Sequence, residues 1–315
     1  MKILVILTGG TIGSAISNGF IAPADGRGLA MVDNYRNRFG NDIEFQFTEP
    51  YRALSETLNA DKLNMLIDTV NSLKDQGFDG IIITHGTDTL QYSAAALSLA
   101  VYTQIPIVLV SSNYPLDDKR SNGRDNFYAA IRLCQTGERG VFVSYRNSDQ
   151  RILYHRGDRL LRHPEMSDEV CSVGGPYGEL VDGRVEFYNK HEEQTDLALS
   201  DVKLIDEPGI ITVSARPGDR FNYCLDAVKA VLLQPYHSGT LDVENSGFKR
   251  FCLEAQLREI PLFVADVQRD KQYATSVHFT ELGLIPLTEM PSTTAFMKIW
   301  FAISKNCNIK EFMCQ

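Results

Sequence analysis

Apolar and polar positions alternate along this chain in two periods, and the periods change at clear borders. Ile3-Leu4-Val5-Ile6-Leu7 is an unbroken apolar run of five, which predicts a strand buried on both faces of a parallel sheet. Ile43-Glu44-Phe45-Gln46-Phe47 alternates with period two and predicts a second strand, after a helix over 29–39. Leu63, Leu66, Ile67, Val70 and Leu73 then recur at helical spacing behind the N-cap candidates Asn59 and Asp61. Gly80-Ile81-Ile82-Ile83-Thr84, Ile105 to Val110, and Val141-Phe142-Val143 predict three further strands. Helices to Tyr102 and over Arg120–Gln135 separate them. Strand and helix alternating at this interval predict a doubly wound, mostly parallel α/β sheet.

The pattern changes near Arg151. Residues 151–190 lose helical periodicity and show short alternating pieces, which predict β-hairpins and irregular turns. A polar stretch follows, and strands resume at Gly209-Ile210-Ile211-Thr212-Val213, at 228–233 and at 261–265. Pro291 is placed to open a last helix with an apolar face of Ala295, Phe296, Ile299, Trp300 and Ile303. The expected organisation is a larger N-terminal α/β domain over 1–190, a linker over 191–208 and a smaller C-terminal α/β domain over 209–315.

With 315 residues there is enough chain for two such cores. The net charge of −9 argues against nucleic acid, because phosphate recognition needs clustered Lys and Arg, and pairs such as Lys119-Arg120 read as solvated surface. The first apolar run is too short for a signal peptide or membrane span, so a cytoplasmic protein without a membrane partner is expected. Six scattered cysteines predict reduced thiols, and six dispersed histidines give no metal-ligand spacing. No metal and no cofactor is expected.

The candidate chemistry sits where two predicted strands end. Thr8-Gly9-Gly10-Thr11-Ile12 follows the first strand, and Thr84-His85-Gly86-Thr87-Asp88-Thr89 follows the third. Open α/β sheets bind ligands outside the carboxyl ends of their strands. Glycines let the backbone approach a ligand closely, and their flanking N–H groups can hold an oxyanion. A threonine hydroxyl attacks carbonyl carbon once its proton is removed. Asp88 holds a substrate ammonium group or orients a proton carrier, or else merely caps the following helix. His85 is read as orienting its turn, and His237 as structural or interfacial.

These two turns resemble the signatures of the bacterial-type L-asparaginase/glutaminase family, T-G-G-T-I and H-G-T-D-T. Leu54-Ser55-Glu56, Arg120-Ser121-Asn122-Gly123 and Tyr236-His237-Ser238-Gly239-Thr240 extend the likeness over nearly the whole chain. The resemblance, which is to the family's cytoplasmic type, implies hydrolysis of L-asparagine, with L-glutamine a poorer substrate. It makes Thr11 the nucleophile of an acyl-enzyme, with Thr87 and Asp88 as catalytic partners. It makes Ser55, Glu56 and Gly86 substrate-binding, and it implies a homodimer or homotetramer. Two positions depart from the family pattern. Phe20 stands where a lid tyrosine often supports the first threonine, with Tyr35 further along. Arg162 stands nearest the place of the family's lysine, with Lys190 a more distant candidate. Arginine keeps the charge but does not release a proton in a protein. Two rivals follow from the same residues: an amino-acid-binding or regulatory protein with weakened catalysis, and a nucleotide-binding α/β protein. The second lacks the G-x-G-x-x-G and G-x-x-x-x-G-K-[ST] fingerprints, although Glu49 could imitate a ribose ligand.

Overall fold

A computed structural model describes residues 1–17, 20–23, 26–188, 197, 199–269 and 273–315, and for 14–25, 27 and 28 at most the backbone. The chain divides into two compact units, Met1–Asp201 and Val202–Gln315. Residues 191–196 and 198 of the expected linker lie outside the described residues.

The first unit is built on an eight-stranded sheet. Its elements in chain order are β1 (Lys2–Leu7), a β2–β3 hairpin (Ser14–Ser17, Phe20–Pro23), α1 (Arg27–Phe39) and β4 (Glu44–Thr48). Then come α2 (Ala60–Leu73), β5 (Gly80–Thr84), α3 (Leu90–Ala100), β6 (Pro106–Val110) and α4 (Gly123–Cys134). Strands β7 (Gly140–Arg146), β8 (Ile152–Arg156), β9 (Gly178–Val181) and β10 (Arg184–Phe187) finish the unit. The sheet order is β10-β9-β8-β7-β6-β5-β1-β4. The five strands from β7 to β4 are parallel, and β8, β9 and β10 add on antiparallel. That switch is the change of pattern seen near Arg151.

Every residue of β5 and β6 is buried, as expected of central strands covered on both faces. Ile3, Val5, Ile82 and Val108 share one core cluster with Met31 and Val32 of α1 and Phe127, Ala130 and Ile131 of α4. The intervening residues Leu4, Ile6, Ile81 and Ile83 point to the other face and are equally buried. Helix α2 starts where its cap was expected, with the Asn59 side chain accepting from the Lys62 N–H. The sequence pattern predicts no strand after Gly13, where the β2–β3 hairpin pairs from Ser14↔Pro23 to Ser17↔Phe20. Its apolar content is too short and irregular to announce a ladder.

The second unit holds a four-stranded parallel sheet of β11 (Ile210–Ser214), β12 (Ala230–Gln234), β13 (Leu262–Val267) and β14 (Leu284–Thr288), in that order. Helix α5 (Ser246–Leu257) covers one face; α6 (Ser292–Ser304) and α7 (Ile309–Met313) cover the other. Pro291 does precede α6, but α6 is not the last helix, since Asn308 caps α7 behind it. All six cysteines are unpaired. Among the described residues no helix is long and apolar enough to cross a membrane, and no group of three or more His, Cys, Asp or Glu could hold a metal ion.

Candidate active site

The two hydroxyl-rich turns leave the sheet side by side because β1 and β5 are parallel neighbours, with Leu7 opposite Thr84. Thr8 ties them together: its hydroxyl donates to the Thr84 carbonyl at 2.5 Å, and its N–H donates to the Thr84 hydroxyl at 3.3 Å. Beyond it the backbone needs two glycines in the left-handed region, Gly9 at φ +107° and Gly10 at φ +76°. Space demands them as well. A Cβ on Gly10 would stand 2.3 Å from the Gly86 nitrogen, and one on Gly9 would stand 2.3 Å from the Ala53 oxygen. The first signature is therefore packed directly, backbone on backbone, against the second.

Thr11 heads the short 3-10 turn Thr11–Gly13 and is half-buried, while Ile12 behind it is fully buried. A third segment closes on the pair. Gly10 N–H donates to the Ala53 carbonyl at 3.2 Å, and Ala53 N–H donates to the Thr8 carbonyl at 3.0 Å. This brings the Ser55–Thr57 3-10 turn against Gly86, where an added Cβ would lie 2.4 Å from Ser55 Oγ. Ser55 donates its hydroxyl to Asp88 Oδ2 at 3.1 Å, and Thr89 donates its own to the Ser55 carbonyl at 2.9 Å. So the fold assembles the Thr11 turn, Ser55, Gly86, Thr87 and Asp88 beyond the carboxyl ends of β1 and β5. Glu56 is exposed beside Ser55, and Thr87 is half-buried between Gly86 and Asp88.

Asp88 does not cap the next helix with its carboxylate, which is taken up by Ser55; Thr89 occupies the N-cap position of α3. His85 orients the turn, as its place in the sequence suggested. Its Nδ1 lies 2.8 Å from the Gly86 carbonyl, which only accepts, so Nδ1 carries the proton and Nε2 accepts from the Ser93 hydroxyl at 2.8 Å. Burial lowers its pKa, against the pull of the Gly86 carbonyl. The ring is thus a neutral clamp between α3 and the second signature.

Arg162 lies on the excursion between β8 and β9, held by the Leu161 N–H bond to the Cys171 carbonyl. Its charge acts on the Tyr92 phenol in the first turn of α3, opposing the upward push of burial on that group. Tyr35 is used in packing, edge-on to Phe45 in the α1 core. The side chain of Phe20 and the whole of Lys190 lie outside the described residues. One neighbour had no sequence signal: Tyr51, whose phenol is buried against Thr8 and pushed up to about 12 by that burial.

Residues 2–193 match the family model described as asparaginase, N-terminal. The chain belongs to the asparaginase family. An L-asparaginase of Thermococcus kodakarensis is 26% identical over 325 residues, covering 99% of this chain and 95% of that protein. A solved structure of the thermostable L-asparaginase from Thermococcus kodakarensis superposes with a TM-score of 0.78 at 22% identity, over 100% of this chain and 96% of that one. A glutamyl-tRNA(Gln) amidotransferase component from Methanosarcina mazei is 27% identical, over 96% of this chain and 74% of its own. A structure described as a probable cytoplasmic L-asparaginase, from Campylobacter jejuni, aligns over 99% of this chain and 98% of its own, with a TM-score of 0.74 and 20% identity. The family model supports amidohydrolase activity, and the fold is the one seen in these asparaginase structures.

Proposed function

We propose that this asparaginase-family chain hydrolyses the side-chain amide of L-asparagine to L-aspartate and ammonia, with L-glutamine as a poorer substrate. The observation that supports the proposal is the close packing of Gly10 on Gly86, which brings the turn headed by the half-buried Thr11 against the segment that carries the Ser55–Asp88 pair. In the first step Thr11 Oγ bonds to the amide carbon, its proton leaves on the departing ammonia, and an acyl-enzyme ester remains. Water then cleaves the ester and returns the proton to Thr11. The N–H groups of Thr11 and Ile12 have no acceptor among the described residues and are available to the oxyanion. Asp88 takes the substrate ammonium, with Ser55 and Glu56 around the α-substituents and Thr87 as the second hydroxyl. The reading includes a homodimer or homotetramer, in the cytoplasm, with no cofactor.

Ammonia release from a panel of asparagine, glutamine and related ω-amides tests it. Glutamine belongs there because one relative is named as part of a glutamyl-tRNA(Gln) amidotransferase. A second reading rests on Arg162: a permanently charged group in the lysine position favours an amino-acid-binding protein with weakened catalysis. Thermal stabilisation by asparagine without ammonia release would select it.

A further inference from the structure

The chain leaves β4 at Thr48 and reaches the Ser55–Thr57 turn through a short segment whose burial alternates. Tyr51, Ala53 and Ser55 are half-buried, while Arg52, Leu54 and Glu56 are exposed. This is the period of extended chain lying on a surface, with every second side chain turned inward. The surface is formed by the two signature turns. Ala53 is bridged in parallel to Gly9 and exchanges its backbone bonds with Thr8 and Gly10. Ser55 meets Gly86 and Asp88. Tyr51 is the upstream member of the same inward row.

The group that Tyr51 meets is Thr8, which is 3% exposed. The Thr8 hydroxyl donates to the Thr84 carbonyl, and its oxygen keeps an open acceptor site among the described residues. The Tyr51 phenol is the donor placed beside it. Yet the phenol oxygen is fully buried and makes no hydrogen bond among the described residues. Burial raises its pKa to about 12, so the proton stays on and the group remains a donor. A buried donor without an acceptor destabilises a fold, and phenylalanine at this position avoids that cost. The hydroxyl therefore does not serve the free chain. A small inward movement of the segment brings donor and acceptor together, and the same movement carries Ser55 with it.

We propose that Tyr51 is a positioning residue for substrate binding: with an α-amino acid amide in the site the segment settles, and the Tyr51 O–H donates to the Thr8 hydroxyl oxygen. That bond fixes Ser55 against the bound α-substituents. The inference rests on the reading of the site as one for asparagine. A bond made in the complex and not in the free chain contributes to affinity, and substrate and transition state share it.

The test is calorimetric titration of asparagine into the full chain carrying Thr11→Ala, with and without Tyr51→Phe, beside thermal unfolding of each free chain. About fivefold weaker binding is expected with Tyr51→Phe, the effect of one hydrogen bond, and the Tm of the free chain should be unchanged or raised. With Thr11 in place, KM for asparagine should rise by the same factor while kcat stays within about twofold. Unchanged affinity overturns the proposal. So does a Tm lowered by Tyr51→Phe, which assigns the hydroxyl to the fold, or a fall in kcat at constant KM. If asparagine neither binds the Thr11→Ala chain nor yields ammonia when Thr11 is present, the amidase reading fails and the proposal falls with it. If asparagine binds both chains equally, the proposal alone falls.

Discussion

A half-buried threonine at the head of a turn can be shortened cheaply, since a lost hydroxyl of this kind costs about 1 kcal/mol. Thr11→Ala is therefore expected to keep its Tm within a few degrees and to release no ammonia from asparagine; a variant retaining most of its activity would remove Thr11 as nucleophile. Asp88→Ala should reduce turnover and weaken substrate binding together, because Asp88 holds Ser55 and, in the proposed function, takes the substrate ammonium. The glycines are less forgiving. Gly86→Ala drives a methyl group into Ser55, whose Oγ and Cβ would lie 2.4 and 2.5 Å away. We expect a loss of about 1–3 kcal/mol in stability, the range for overpacking, and at least a tenfold fall in activity as Ser55 is displaced. Denaturant titration and ammonia release read the two effects separately.

Strand β8 carries a buried histidine that makes the sheet sensitive to acid. His155 is 1% exposed, its Nδ1 is 2.6 Å from Ser172 Oγ, and burial lowers its pKa to about 4. The unfolded chain takes up the proton near 6.5 and the folded chain only near 4, so the unfolded state binds more protons between them. This contribution is fully present above about pH 6.5 and is lost as pH falls towards 4, on the order of 3 kcal/mol in all. His155→Gln, which does not titrate, should flatten the pH dependence of unfolding over that window; an unchanged slope would reject the assignment. The excursion that follows β8 presents the second test at this scale. With Arg162 acting beside Tyr92 at the start of α3, Arg162→Lys keeps the charge and adds a titratable amine. Higher kcat with a new limb in the pH–rate profile is expected, and no change in either would mean that the charge alone suffices.

For the whole molecule the question is which amide is taken. Asparagine and glutamine differ by one methylene, and an apolar fit to it supplies only about 1–3 kcal/mol. In the proposed function, discrimination then has to come from where Ser55, Glu56 and Asp88 would hold the α-substituents relative to Thr11. All of these stand on turns fixed to the rigid β1–β5 pair. We expect asparagine to exceed glutamine in kcat/KM, and the reverse order in a substrate panel would refute this positioning argument.

Sequence by itself determined the strands whose burial is complete. The apolar runs Ile3–Ile6 in β1, Ile81–Ile83 in β5 and Pro106–Val110 in β6 are unbroken because parallel strands covered on both faces have no solvent side to encode, and so they were legible without a structure. The site turns were legible for a related reason: Gly9, Gly10 and Gly86 stand where only a missing Cβ permits the approach, and that requirement is written as residue type. The β2–β3 hairpin, β14, α5 and α7 were missed, since short or mixed patterns acquire their conformation from what they pack on. Contacts between distant segments were decided by the tertiary structure alone. Periodicity is local, whereas Tyr51 against Thr8 and His85 between Gly86 and Ser93 depend on which segments become neighbours.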